Sequence, residues 1–240
     1  MCMPEKNAYR RVLLKLSGEA LAGEKGSGLD FAVIRSVCGE VRKLTEMGVE
    51  VGVVVGGGNF WRGAKDGGGT MERSRADHMG MLATVMNALA VCDVFEQLTV
   101  PTKVMTPVPM QTFAEPYTRR DADRYLREGN VVIFGCGTGC PYFSTDTGAV
   151  LRAAEIGADV ILLAKNIDGV YSADPKKDPA AKKYEHIRYA EVLQKRLGVM
   201  DLTATSLAMD NNIPVIVFAL ADPDNIVKAA RGEAVGTRVD

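Results

Sequence analysis

The sequence predicts an α/β protein, a three-layer α/β/α sandwich whose central sheet is mainly parallel. Strand and helix signals alternate along the chain, the pattern of a sheet covered on both faces. The apolar runs are short and rich in Val, Ile and Leu, as in strands with no face in water. Three of them break off into glycine-rich turns: RVLLKLSGEA near residue 15, VGVVVGGGNFWRG near residue 57 and VVIFGCGTGCPYFSTD near residue 137. Ligands of parallel sheets collect outside the strand carboxyl ends, where glycine lets backbone N–H groups approach an anion. The three turns are expected to surround one polyphosphate.

Arg11 to Leu16 is the first strand. Asp30 caps a helix running to about Met47, with Val33, Val37, Val41 and Leu44 on one face and Gly48 as its stop. Val49 to Val55 is the second strand. A long helical pattern from about Arg73 to Gln97 carries Met79, Leu82, Val85, Met86, Leu89 and Val94, a stripe expected in the core or in a subunit interface. Lys103 to Met105 gives a third strand, followed by a charged helix near Arg119 to Arg127 and the strand Val131 to Phe134. A helix from about Thr145 to Ile156 leads to the strand Val160 to Leu163. Asn166 to about Arg188 reads as irregular and polar, and such length in a compact domain points to function or mobility. Helical stretches at Ala190 to Leu197 and Leu202 to Asp210 precede the strand Val215 to Phe218 and a helix from Asp224 to Arg231.

With 240 residues the chain can bury a full core, as one large domain or two closely associated lobes. A formal net charge of -1 and a pI near 6.2 argue against a broad nucleic-acid-binding surface, so any anion site is local. Cys2, Cys38, Cys92, Cys136 and Cys140 are scattered and odd in number, which favours a reduced cytoplasmic protein. With His78 and His186 as its only histidines, the chain offers little to a structural zinc site. No membrane span or export signal is read.

Neither GxxxxGK[ST] nor GxGxxG is present. Asp77 lies about 20 residues past GGGNFWRG, where a ribose-binding acid falls in dinucleotide folds, but it follows no predicted strand. Lys15 ends an apolar strand beside Ser17 and Gly18. A lysine there is costly to bury unless its ammonium meets an anion, which favours a phosphate contact over a snorkelling surface position. Gly56, Gly57, Gly58 and Asn59 offer successive N–H donors and Arg62 a guanidinium fork; a glycine triplet alone is equally a tight strand-to-helix turn. In the third turn Thr138, Ser144 and Thr145 bring hydroxyls. Asp146 is either a charge favourable to a helix N-terminus or a group that orients Lys15 across the site. Phosphoryl transfer needs positioning and charge neutralisation rather than a nucleophilic side chain, which suits this set. Cys136 and Cys140 lack the CxxC spacing of a redox pair and read as loop packing. His78 is explained as well by a polar helix face as by acid–base work.

Taken together, KLSGEAL, VVVGGGNFWRG, RADHMGMLATVMNALA, GTGCPYFSTDT, IDGVYSADPKKDPAAKKY and VMDLTA run in order from Lys15 to about Ala204, with PVIVFAL and GTRV after them. They resemble the bacterial uridylate (UMP) kinases of the amino acid kinase superfamily. The resemblance implies ATP-dependent phosphorylation of UMP to UDP, in pyrimidine nucleotide biosynthesis, by a cytoplasmic homohexamer. It also implies Mg2+ carried by ATP with no direct protein ligand. The chain would be a single amino acid kinase domain over 1–240, with a UMP-binding lobe at about 1–163 and an ATP-nucleoside lobe at about 164–240.

By the same resemblance Lys15 and Asp146 are catalytic. ATP is met by Lys15, Leu16, Ser17, Gly18, Gly58, Arg62, Asn166, Tyr171 and Asp174. UMP is met by Gly57, Asp77, Thr138, Gly139, Cys140, Pro141, Tyr142, Phe143, Ser144 and Thr145. A tyrosine ring can cover a base and an aspartate can accept from ribose hydroxyls, which suits the polar loop around Tyr171 and Asp174. The loop Gly23, Glu24, Lys25, Gly26, Ser27, Gly28 is similar to a segment associated with activation by GTP, with UTP as an inhibitor. Lys165 stands where relatives vary, and its contact with phosphate is open. Asp201 either reaches the site or caps the helix near Leu202, the favoured reading. No spacing separates UMP from CMP. Two other readings, an oxyanion-storage protein and a kinase of amino acids or carbamate, fit less well: the first needs specialised pockets, and Asp77 would repel the anions of the second.

Overall fold

A computed structural model describes residues 7–62, 70–175 and 177–240, so Cys2 lies outside the described residues. The central strand β1 (Arg11–Leu16) is buried throughout. It pairs in parallel with β2 (Glu50–Val55) on one side and β6 (Val160–Lys165) on the other. Beyond β2 lie β5 (Val131–Phe134), β3 (Thr102–Thr106) and the short β4 (Glu115–Pro116). Beyond β6 lie β10 (Val215–Ala219), β11 (Thr237–Val239) and β9 (His186–Ile187). Among the described residues this makes a nine-stranded sheet, and every pairing in it is parallel except β10 with β11.

Side chains of a strand alternate between faces, and the two cores follow that alternation. Val12, Leu14 and Leu16 enter the core beneath α2 (Phe31–Glu46), α3 (Arg73–Gln97) and α8 (Asn225–Ala230). Leu13 enters the opposite core, beneath α4 (Arg119–Arg127), α5 (Thr145–Ile156), α6 (Tyr189–Lys195) and α7 (Leu202–Asp210). The α/β/α sandwich expected from the alternating pattern is therefore present. Lys15 shares the parity of Leu13, which turns its side chain toward the face covered by α5.

The main elements fall within a residue or two of their expected bounds, because their caps are local. The Asp30 carboxylate accepts from Ala32 and Val33 N–H at the start of α2, and Gly48 takes φ 79° just past its end. Three features differ. The buried face of α2 uses Ile34 and Cys38 beside Val37, Val41 and Leu44, leaving Val33 half-buried. The segment after β6 is partly ordered: β7 (Val170–Tyr171) and β8 (Lys183–Tyr184) form an antiparallel pair, and β9 joins the main sheet. The stripe on α3 divides, with Val85 and Val94 buried while Met79, Leu82, Met86 and Leu89 are 37–52% exposed. By length and composition alone α3 is also apolar enough to cross a membrane. Its inward residues Ala88, Val91 and Phe95 lie in the core beside the sheet.

One buried charge joins the second layer to the sheet. Arg11 is 3% exposed; its guanidinium pairs with Glu50 of β2 and, at 2.9 Å, with Asp123 of α4, and donates to the Ile156 carbonyl at the end of α5. Burial raises the Asp123 carboxyl, but the hydrogen bond and charge of Arg11, joined by Arg127, outweigh it and hold it below its ordinary 3.8. A carboxyl so depressed stabilises the fold above its unfolded value and loses that contribution as pH falls through the lower folded one. Arg11→Ala is expected to cost about 3 kcal/mol of unfolding free energy. It should also flatten the loss of stability between about pH 5 and about pH 3. Urea denaturation at about pH 7, 5 and 3 checks this, and a cost under about 1 kcal/mol at pH 7 would contradict the assignment.

Candidate active site

Because β1, β2, β5 and β6 are parallel neighbours, the segments that follow them emerge at one edge of the sheet. The first two glycine turns touch directly. Gly56 N–H donates to the Leu16 carbonyl at 2.8 Å. A Cβ built on Gly18 would stand 2.6 Å from Gly58 N and 2.5 Å from Asn59 Oδ1, so only glycine permits this approach. Gly57 is held equally close to α3, its Cβ position lying 2.7 Å from the Gly80 carbonyl oxygen. The third turn reaches the second through Thr84 of α3, whose hydroxyl accepts from Cys136 N–H at 2.7 Å.

At the centre Lys15 Nζ stands 2.5 Å from Asp146 Oδ1, with the Lys15 side chain 8% and the Asp146 side chain 17% exposed. Lys165 Nζ is 4.0 Å from the other carboxylate oxygen and also donates to the Val199 carbonyl. Burial pushes the Asp146 carboxyl up, but the Lys15 and Lys165 ammoniums outweigh it and hold it below the ordinary carboxylate value. Burial pulls Lys165 down, the charge of Asp146 opposing and that of Lys15 adding to it. The charge of Asp201 also opposes that fall, so two ammoniums are shared between two carboxylates.

Asp146 is placed by a double cap. Ser144 begins α5, its oxygen accepting from Asp146 N–H at 3.0 Å and Thr147 N–H at 3.1 Å while its hydroxyl donates to Asp201. Asp201 caps α7 through Ala204 N–H at 2.9 Å and accepts from the Thr147 hydroxyl at 3.2 Å. It therefore caps, as favoured, and also binds the start of α7 to the start of α5.

Two cavities adjoin the charged centre through its neighbours, and neither is lined by Lys15 or Asp146 themselves. One of about 400 Å³ is walled by Lys165, Gly169, Tyr171, Asp174, Arg196 and Val217. The other, of about 320 Å³, is walled by Gly57, Gly58, Arg62, Asp77, Thr138 and Thr145. Asp146 follows a residue of the second cavity and faces a lysine of the first.

The sequence profile of the amino acid kinase family matches residues 10–219. The chain belongs to the amino acid kinase family. It is similar to the solved UMP kinase of Bacillus anthracis at 38% identity, over 97% of this chain and 96% of that one, with a TM-score of 0.93. The UMP kinase of Ureaplasma parvum is 36% identical over 96% and 98%, with a TM-score of 0.90. The uridylate kinase of Archaeoglobus fulgidus is 30% identical over 95% and 99%, with a TM-score of 0.73. The resemblance read from the motifs is met by these matches.

In this member of the amino acid kinase family the residues named from sequence divide between places. Tyr171 and Asp174 share the first cavity; Asn166 does not, lying instead with Glu19, Gly23 and Glu24 around a separate hollow. Gly58 and Arg62 line the second cavity with Gly57 and Asp77, and Arg62 pairs with Glu19. Leu16 is in the core, so its backbone alone faces the turn, and Ser17 caps the short α1 (Gly18–Leu21) through Ala20 N–H. Thr138, Cys140, Phe143, Ser144 and Thr145 line the second cavity, whereas Gly139, Pro141 and Tyr142 do not. Gly139 rests against Pro107, and Tyr142, 66% exposed, donates its N–H to Asp77 at 2.8 Å. Cys136 is buried as loop packing requires, with its thiol pushed up to about 11 by burial, but Cys140 is exposed.

Sequence reasoning missed Trp61, Met81 and Thr84 in the second cavity, and behind it a buried amide pair. Asn59 and Asn87, 4% and 0% exposed, exchange side-chain hydrogen bonds at 2.9 and 2.7 Å. Asn87 also donates to the Gly56 carbonyl at 2.6 Å and Asn59 to that of Gly28 at 2.7 Å. An asparagine within an apolar helix, against its propensity, was the available signal. Asn87→Leu strands the Gly56 carbonyl and the Asn59 amide. It is expected to lower stability by about 2–3 kcal/mol, read as a reduced urea midpoint at constant slope; an unchanged midpoint would refute the role.

Proposed function

We propose that this chain is a UMP kinase that transfers the γ-phosphoryl group of ATP to UMP, yielding UDP and ADP in pyrimidine nucleotide synthesis. The observation that carries the reading is the buried Lys15–Asp146 pair, joined to one cavity, with Tyr171 and Asp174, through Lys165 and to the other, with Asp77, through Thr145. The similarity to UMP kinases over nearly the whole chain supports it. Tyr171 and Asp174 are assigned to the ATP nucleoside, and Lys15, Ser17, Gly18, Gly58 and Arg62 to its phosphates. Gly57, Asp77 and the segment 138–145 are assigned to UMP.

An oxygen of the UMP phosphate forms the new bond to the γ-phosphorus, and the bond from that phosphorus to the bridging oxygen of ADP breaks. The attacking group, with a second pKa of about 6, is already anionic at neutral pH and needs no base. Asp146, kept ionised by two ammoniums, orients Lys15 and Lys165, while Lys15 neutralises charge on the transferring group. Mg2+ is assigned to ATP itself, where it would neutralise phosphate charge.

The reading extends to control by GTP and UTP, supported by the hydrogen bonds that tie Gly28 to Asn59 and so join the Gly23–Gly28 loop to the second turn. It also includes a homohexamer, for which the exposed Met79, Leu82, Met86 and Leu89 supply an apolar face, and a cytoplasmic location, favoured by the free thiols of Cys38, Cys92, Cys136 and Cys140.

A coupled assay with UMP, CMP, TMP and AMP, with and without GTP, is expected to show UMP as the preferred acceptor; comparable turnover of CMP would overturn the substrate. Lys15→Ala and Asp146→Asn are each expected to lower kcat by about 100-fold or more while keeping the far-UV circular dichroism of the parent. Wild-type rates in both would refute the mechanism. In light scattering, Met86→Glu is expected to break the assembly into smaller species, since a charge buried in an apolar contact is unpaired.

A further inference from the structure

We propose that Thr237 is a positioning residue for the ATP side of the site, acting through the segment Gly169–Tyr171. The inference rests on the assignment of Tyr171 and Asp174 to ATP. Thr237 lies on β11, is 0% exposed and does not line the cavity. Its hydroxyl accepts from Val170 N–H at 2.8 Å and donates to the Tyr184 carbonyl. Val170 and Tyr184 are paired residues of β7 and β8, so a single hydroxyl pins both strands of the hairpin to β11 of the main sheet.

The surroundings show how tightly that contact is drawn. A Cβ on Gly169 would lie 2.6 Å from Thr237 Oγ1, and Gly169, Val170 and Tyr171 are successive residues of the cavity wall. Thr237 is itself fixed by register: it pairs with Val217 of β10, which lines the same cavity. The preceding Gly236 has φ +63°, and a Cβ there would stand 1.9 Å from the Val217 carbonyl oxygen. Gly236 thus allows β11 to approach closely enough for the hydroxyl to span the hairpin. A residue that donates and accepts at once is required; valine has the shape of threonine and neither capacity, whereas serine has both.

The test compares Thr237→Val and Thr237→Ser in steady-state kinetics, with titration calorimetry of ATP in the absence of UMP. Thr237→Val is expected to raise KM and Kd for ATP by about 10-fold, with KM for UMP within about 2-fold of the parent. Thr237→Ser should restore ATP binding to within about 2-fold. If the valine variant does not fold, Gly169→Ala, whose new methyl meets Thr237 Oγ1 and the flexible end of Lys183, should show the same selective loss, and Lys183→Ala, which leaves the Thr237 hydrogen bonds in place, should not. Unchanged ATP binding in Thr237→Val and Gly169→Ala, an equal loss in Lys183→Ala, a parallel rise in both KM values, or failure of serine to restore ATP binding overturns the inference. A parent that binds no ATP overturns the assignment of the cavity as well; a parent that binds ATP but is indifferent to Thr237 overturns this inference alone.

Discussion

A lysine ammonium at the buried end of the central strand has to be met by negative charge, and much of the site is arranged around that requirement. Lys15 is turned inward by strand parity, and paired strands on both sides deny β1 an edge in water. Without an anion the charge would be too costly to bury. Asp146 meets it at 2.5 Å and is shared with Lys165, on which the charge of Asp201 also bears. The cations are thereby fixed in place by the protein itself, the preorganisation on which the proposed phosphoryl transfer would draw.

Fixing a carboxylate at that point requires the start of α5 to be fixed, and no single cap does so. Ser144 holds the N–H groups of Asp146 and Thr147, and Asp201 holds Ser144 while capping a different helix. The first and second turns are held in turn by close approach, since a Cβ on Gly18 would meet Gly58 N and Asn59. Backbone donors and cations are thereby set by the same contacts, and a displacement of one turn is felt by the next.

The sheet, its buried strands and most helix bounds were legible because they depend on local period and caps: Asp30 and Gly48 are read directly from the chain. Lys15 and Asp146 were legible as a pair of unusual charges, one at a strand end and one at a helix start. What escaped was carried by residues whose meaning is non-local. Asn87 is an oddity in a helix until Gly56 and Asn59 are placed beside it. Asn166 adjoins the β6 strand in sequence yet lies in a different hollow from Tyr171, because the chain turns between them into the β7–β8 hairpin. β11 and β9 are too short to give a periodic signal, and their pairing crosses about 50 residues of chain, which local reading cannot reach.

The long helix α3 shows why the outward and inward faces of one element have to be considered together. Its outward side presents Met79, Leu82, Met86 and Leu89, while its inward side supplies Thr84 to the third turn and Asn87 to the second. A helix moves as a rod over such short spans, with each residue only about 1.5 Å further along the axis than the last. Any shift that reseats the outer methionines must therefore also move the hydroxyl and the amide that hold two of the three glycine turns. The face expected to meet a second subunit and the supports of the nucleotide site are mechanically one object, so cover on the outer face constrains the inner one without any separate pathway between them.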